Sequence, residues 1–145
     1  MDQAKTGEGI TMSKPYIYSF TEPINPEALH VLLGQTDWAD TRSPLDIQRM
    51  LDRSQITLGV WNEDRLIAFS RVITDDMYRA LIDDLVVDMG FRGQGIASTM
   101  LDKLLKRLQH VEQVMLDCAT GLSGFYARFG FRHKGGSSML LEKKQ

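Results

Sequence analysis

A single cysteine, Cys118, stands in 145 residues, so no intramolecular disulfide can form and the chain must hold itself together by packing. No apolar run reaches the roughly 20 residues of a membrane-spanning helix, and no signal-peptide pattern is present. These absences lead to the expectation of a soluble protein in a reducing, cytoplasmic setting without a membrane partner. Neither sign of charge dominates: 17 Lys and Arg against 19 Asp and Glu leave a formal net charge of -2. A global basic field that would gather nucleic acid is therefore excluded. His30, His110 and His133 are scattered and share no metal-ligand spacing with Cys118, so no metal centre is expected.

What is present is an ordinary globular composition, 43% hydrophobic and 25% charged, in a length suited to one domain with one core. The opening MDQAKTGEGIT has little to bury, so residues 1–14 are expected to form a mobile leader ahead of a single domain over 15–145.

YIYSF alternates enough for a first strand, and EALHVLLGQ, after Pro23 and Pro26, reads as a short helix ending at Gly34. Ser43 followed by Pro44 is a helix start, with Leu45, Ile47, Met50 and Leu51 expected to face inward. QITLGVW and LIAFSRVIT, joined by the polar NEDR, read as a hairpin, and RALIDDLVVD as a third strand. Ile96, Ala97, Met100, Leu101, Leu104, Leu105 and Leu108 recur at steps of three and four, which marks one face of a helix. EQVMLDC then reads as a strand, GLSGFYARFG as a short helix closed by Gly130, and FRHKGGSSMLLEK as a terminal hairpin whose edge would offer a seat for a second copy. The order describes an α/β fold, a mixed central sheet with helices on both faces.

Between the third strand and the long helix lies RGQGIAS, residues 92–98. A strand that enters a Gly-rich turn and then a helix exposes helix-initiating N–H groups, where the positive end of the dipole lies, to an anion. Gly93 and Gly95 would let a phosphate approach the backbone and supply the φ values of an N–H nest. A P-loop would need Lys and Ser/Thr after the second glycine, and Ile96 and Ala97 stand there. A dinucleotide fingerprint would need a third glycine where Ser98 stands.

Arg92, Gly95 and Ala97 satisfy a third pattern, Arg/Gln-x-x-Gly-x-Gly/Ala. LVVDMGFRGQGIASTMLDKLL resembles motif A of the GNAT (N-acetyltransferase) superfamily, and FYARFGF, about 30 residues on, resembles its motif B. The resemblance covers residues 54–142 by motif and 15–53 by layout. It departs at Met89, where the family often has Pro, at Ala119, where it often has Asn, and at Leu122, where it has Ala.

The resemblance implies the GNAT acyl-CoA N-acyltransferase fold and transfer of an acetyl group from acetyl-CoA to a primary amine, of a small molecule or a protein, by direct attack in a ternary complex. It implies a cleft where residues 80–88 and 113–118 splay apart, with Leu85, Val86 and Val87 beside the pantetheine and the Val87 N–H on the thioester oxygen. Arg92, Gly93, Gln94, Gly95, Ile96, Ala97 and Ser98 would hold the pyrophosphate, and Tyr126 would touch the cofactor and protonate the departing thiolate. A phenol of ordinary pKa about 10 against a thiol of about 8.5 serves better as a hydrogen-bond donor than as a full acid.

The proton of the attacking amine needs an acceptor. Asp83 and Asp84 interrupt an apolar strand, where an unpaired carboxyl has its pKa raised. Alternation puts Asp84 on one face with Ile82 and Val86 and favours it as the base. A bulge at the pair would upset that choice, and binding of a cationic acceptor is an equal reading. Trp38, Arg42, Asp83 and Tyr78 are the candidate acceptor contacts, and the acids Asp75, Asp76, Asp83 and Asp84 lean toward a cationic acceptor. An acyl-CoA-binding sensor without turnover is the alternative from another class.

Overall fold

The computed structural model describes residues 16–143, so the expected leader lies outside the described residues. Strand β1 (Ile17–Ser19) is followed by helices α1 (Pro26–Leu33) and α2 (Pro44–Arg53). Strands β2 (Ile56–Asn62), β3 (Arg65–Thr74) and β4 (Arg79–Val87) come next, then a 3-10 turn at Met89–Phe91 and helix α3 (Ile96–Arg107). Strand β5 (Gln113–Met115), a second 3-10 turn at Thr120–Leu122 and helix α4 (Ser123–Ala127) complete the order.

Local chemistry sets the helix starts. Asn25 Oδ1 accepts from the amides of Glu27 and Ala28 at 2.8 and 3.1 Å, with Pro26 opening α1. Ser43 Oγ accepts from Asp46 N at 3.1 Å ahead of Pro44, as the sequence predicts for α2. Leu45 departs from expectation: it is 62% exposed, because α2 rests on the sheet through Ile47, which is wholly buried.

The five strands lie in the order β1-β2-β3-β4-β5, antiparallel except for the parallel pair β4 and β5. Each sheet face has its own apolar layer. On one, Leu58, Val72 and Ile82 pack with Met100, Leu101 and Leu104 of α3, and on the other Phe69 and Val86 pack with Leu29, Leu33 and Ile47 of α1 and α2. At about 1.5–3 kcal/mol for each fully buried large side chain, these layers supply the stabilisation that no disulfide provides.

Two expectations fail. The parallel strand ends at Met115 rather than reaching Cys118, since β4 and β5 pair only from Arg79↔Gln113 to Leu81↔Met115. The terminal hairpin does not form: residues 131–143 hold no strand, and Met139, Leu140 and Leu141 are 96%, 85% and 83% exposed. A hairpin gains its stability from a packed face, and here the apolar residues find none. The edge it was expected to offer a second copy is absent among the described residues.

Candidate active site

The site begins with a counting mismatch between two strands. Phe69 pairs with Val86 and Arg71 with Asp83, so Asp84 and Leu85 together oppose the single residue Ser70. This is a β-bulge, and its first residue, Asp84, has φ +55°, a left-handed conformation costing about 1–2 kcal/mol for a residue with a side chain. Ile82 packs with the α3 layer whereas Val86 packs with the α1 and α2 layer. The simple alternation that would place Asp84, Ile82 and Val86 on one face is thereby broken.

Asp84 is 5% exposed, and its carboxylate accepts from Arg42 Nη1 at 2.8 Å, Arg42 Nη2 at 3.2 Å and Arg71 Nε at 2.6 Å. Burial pushes its pKa up, but the hydrogen bonds and charges of Arg42 and Arg71 outweigh burial and hold it below the usual carboxylate value. The raised pKa expected from sequence is overturned, because the carboxyl is paired. Asp83 is held by Arg71 Nη2 at 3.1 Å, and Ser70 Oγ donates to the Asp83 carbonyl at 3.0 Å.

Beyond the bulge, no strand among the described residues pairs with β4 on its β5 side. Asp88 N donates to Ile67 O at 2.7 Å, toward β3. Backbone groups of successive strand residues point to opposite edges, so the N–H and C=O of Val87 face the gap. Arg92 Nε donates to Val87 O at 3.1 Å from that open side.

Past Val87 the chain turns through Asp88, which is 5% exposed. Its carboxylate accepts from Gly90 N, Gln35 Nε2 and Arg65 Nη2 at 2.8, 3.1 and 2.8 Å. Burial raises its pKa, and these partners lower it further, to a net value below normal. Gln35 Oε1 also accepts from Met89 N at 2.9 Å, which ties the end of α1 to the start of the glycine turn.

Gly93 and Gly95 adopt φ +78° and +82°, and a Cβ on either would meet no protein atom within 4 Å. The glycines answer a backbone requirement and leave open space above the turn. Gly95 caps α3 without any side-chain bond to the first amides, so Ile96, Ala97 and Ser98 begin a helix whose N–H groups are available. Gln94 turns away and accepts from the Tyr16 hydroxyl at 2.5 Å.

These pieces border a cleft of about 690 Å³, lined by Leu85, Val86 and Val87, by residues of the glycine turn and the start of α3, and by Leu122, Phe125 and Tyr126. Tyr126 is 8% exposed, edge-on to Phe125 and Phe131 at 5.1 and 6.0 Å. Burial, with a smaller contribution from Cys118 nearby, pushes its phenol pKa up, so it stays protonated.

Trp38 lines the cleft, whereas Arg42, Asp83 and Asp84 are not among its lining residues and are bonded within the protein, Arg42 to Asp84 and Asp83 to Arg71. Tyr78 does not line it either: it precedes β4, and at about 3.3 Å per residue the nine residues from Arg79 put Val87 at the far end of the strand. Asp75 and Asp76 share that distant turn, Asp75 accepting from the amides of Met77, Tyr78 and Arg79 and Asp76 pairing with His110 at 2.8 Å. Their lean toward a cationic acceptor is withdrawn, as each is bonded within the protein and far from Val87.

Sequence reasoning missed Gln35, Thr36 and Asp37, which line the cleft, and the anchoring role of Asp88. Only their neighbourhood to the picked Trp38 and Val87 hinted at them.

A mixed sheet whose parallel pair parts beside a glycine-capped helix brings Val87, the glycine turn and the buried Tyr126 to one cleft. The family model of the acetyltransferase (GNAT) family matches residues 18–131, and the chain belongs to that family. An uncharacterized N-acetyltransferase, ycf52-like, of Prochlorococcus marinus is 28% identical over 123 residues, 80% of this chain and 67% of its own length. A ycf52 N-acetyltransferase of Gracilaria tenuistipitata is 28% identical over 78% of this chain and 65% of its own, so the chain spans about two thirds of these relatives. A GNAT-family structure from Xanthomonas campestris is 28% identical with TM-score 0.79, covering 92% of this chain and 96% of its own. Glucosamine-6-phosphate N-acetyltransferase of Arabidopsis thaliana, 18% identical with TM-score 0.69 over 90% and 99%, shares the fold.

Proposed function

We propose that this chain transfers an acetyl group from acetyl-CoA to a primary amine by direct attack within a ternary complex. The observation that carries the reading is the Val87 N–H, turned into a gap that no strand among the described residues fills, beside the cleft that the glycine turn and Tyr126 also line.

Backbone N–H groups from Gly93 to Ser98 bind the pyrophosphate, and the Arg92 guanidinium adds charge beside it. The open space above Gly93 and Gly95 fits such a group. A neutral amine nitrogen attacks the thioester carbon, a C–N bond forms and the C–S bond breaks. Val87 N–H donates to the carbonyl oxygen as it gains negative charge, an interaction stronger in the transition state than in the ground state. The Tyr126 hydroxyl gives a hydrogen bond or its proton to the leaving sulfur, and solvent restores it.

Asp84 is not the base in this reading. Two guanidinium groups occupy its oxygens and lower its pKa, which makes it a poor proton acceptor, and its part is to hold the bulge that precedes Val87. The surplus proton of the attacking nitrogen leaves to water. Among the described residues no helix is long and apolar enough to cross a membrane.

The test is thermal unfolding with acetyl-CoA, followed by release of free thiol across a panel of amines. Ligand at 100 times its dissociation constant would add about 2.7 kcal/mol of stability. No stabilisation at saturation sinks the proposal. Stabilisation without thiol release from any amine leaves a protein that binds and does not turn over.

A further inference from the structure

The cleft contains one anionic and one cationic side chain in its lining, Asp37 and Arg92. Arg92 belongs to the glycine turn, so it serves the pyrophosphate end. Asp37, in the loop after α1, lines the same cleft and is exposed. That loop is held firmly. Thr36 Oγ1 donates to Leu33 O at 2.8 Å and accepts from Ala39 N at 3.0 Å, which leaves Asp37 and Trp38 at the tip of a closed turn, with Ala39 buried behind them. Gln35, two residues earlier, is bonded to Asp88 and Met89, so the tip is anchored beside the Val87 end of β4.

The other acids that could meet a cation are occupied: Asp83 and Asp84 by Arg71 and Arg42, and Asp88 by Arg65 and Gln35. Arg42, the arginine of the same loop, is taken by Asp84. Among the described residues no cation pairs with Asp37, and Asp40 of that loop does not line the cleft.

A carboxylate bonded to the reacting nitrogen would favour its ammonium form, which cannot attack. Asp37 therefore suits a different nitrogen. We infer that the acceptor is an amine bearing a second, non-reacting positive charge, and that Asp37 binds this second cation while the neutral nitrogen meets the thioester at Val87. The half-exposed indole of Trp38 adds an apolar wall and a π face beside the charge. The inference rests on the acetyl-transfer reading of this cleft and names its substrate class.

The test compares 1,4-diaminobutane with butylamine as acceptors, by thiol release, in the parent, Asp37→Asn and Asp37→Glu. A charge-assisted hydrogen bond predicts kcat/KM at least about tenfold higher for the diamine in the parent. That ratio should fall toward one in Asp37→Asn, mainly through KM, and recover in Asp37→Glu. Thermal stabilisation by acetyl-CoA, read in the same samples, reports that the variants are folded and the pyrophosphate end is intact. A parent ratio near one, a preference that survives Asp37→Asn, or stabilisation by acetyl-CoA with no turnover of the diamine overturns the inference while leaving acetyl-CoA binding in place. Absence of stabilisation in the parent overturns the acetyl-transfer reading, and this inference falls with it.

Discussion

Arg71 donates its Nε–H to Asp84 at 2.6 Å, across the place where β4 carries one residue more than β3. The pair ties a left-handed backbone conformation to a buried charge, so the bulge and the ion pair stand or fall together.

Asp84→Asn keeps the size and removes the charge. Removing one partner of a buried pair costs about 3–5 kcal/mol, and the lower part of that range is expected because Asn still accepts one hydrogen bond. The folded-state pKa of Asp84 is depressed, so its stabilisation is fully present above the unfolded value near 3.8 and is lost as pH falls through the lower folded value. Urea unfolding between pH 7 and pH 2 should therefore show a shallower acid limb in the variant. An unchanged limb would assign the acid sensitivity elsewhere.

Tyr126→Phe removes the one buried phenol among the residues lining the cleft. Loss of a proton donor predicts a fall in kcat of about 100-fold, with KM for acetyl-CoA changed little. Because burial raises the phenol pKa above 10.0, no fall of kcat assigned to this group should occur below pH 10 in the parent. Steady-state rates from pH 6 to pH 10 check both statements.

Gly95→Ala places a Cβ at φ +82°, where an L residue is strained by about 1–2 kcal/mol, although no protein atom obstructs it. The added methyl also stands where a phosphate would approach. Calorimetric titration should show acetyl-CoA affinity reduced about tenfold or more, beyond the change in Tm. Equal affinity would mean that the turn does not bind the pyrophosphate.

Leu101→Ala opens the α3 layer at a wholly buried position. A loss of about 2–5 kcal/mol is expected by denaturant unfolding, the spread reflecting how far the neighbours close in.

The sequence by itself determined the elements and their order from β1 to α4, since period, caps and turns are local properties. Ser43 and Pro44 open α2, the face from Ile96 to Leu104 packs on the sheet, and Gly93 and Gly95 take the positive φ that their turn demands. It also brought Val87, Tyr126 and the glycine turn together, because two spaced motifs fix a strand, a helix start and a later helix.

What tertiary structure decided is how side chains are shared between elements distant in sequence. Asp84 looked like an isolated acid until Arg42 and Arg71, from a loop and a neighbouring strand, paired with it and reversed the direction of its pKa. Asp37 gave no periodic or motif signal, and enters the cleft only because Gln35 and Thr36 fasten its loop beside β4. FRHKGGSSMLLEK near the C-terminus read as a hairpin, but a strand forms only where a partner edge and a buried face await it, and Met139, Leu140 and Leu141 meet neither.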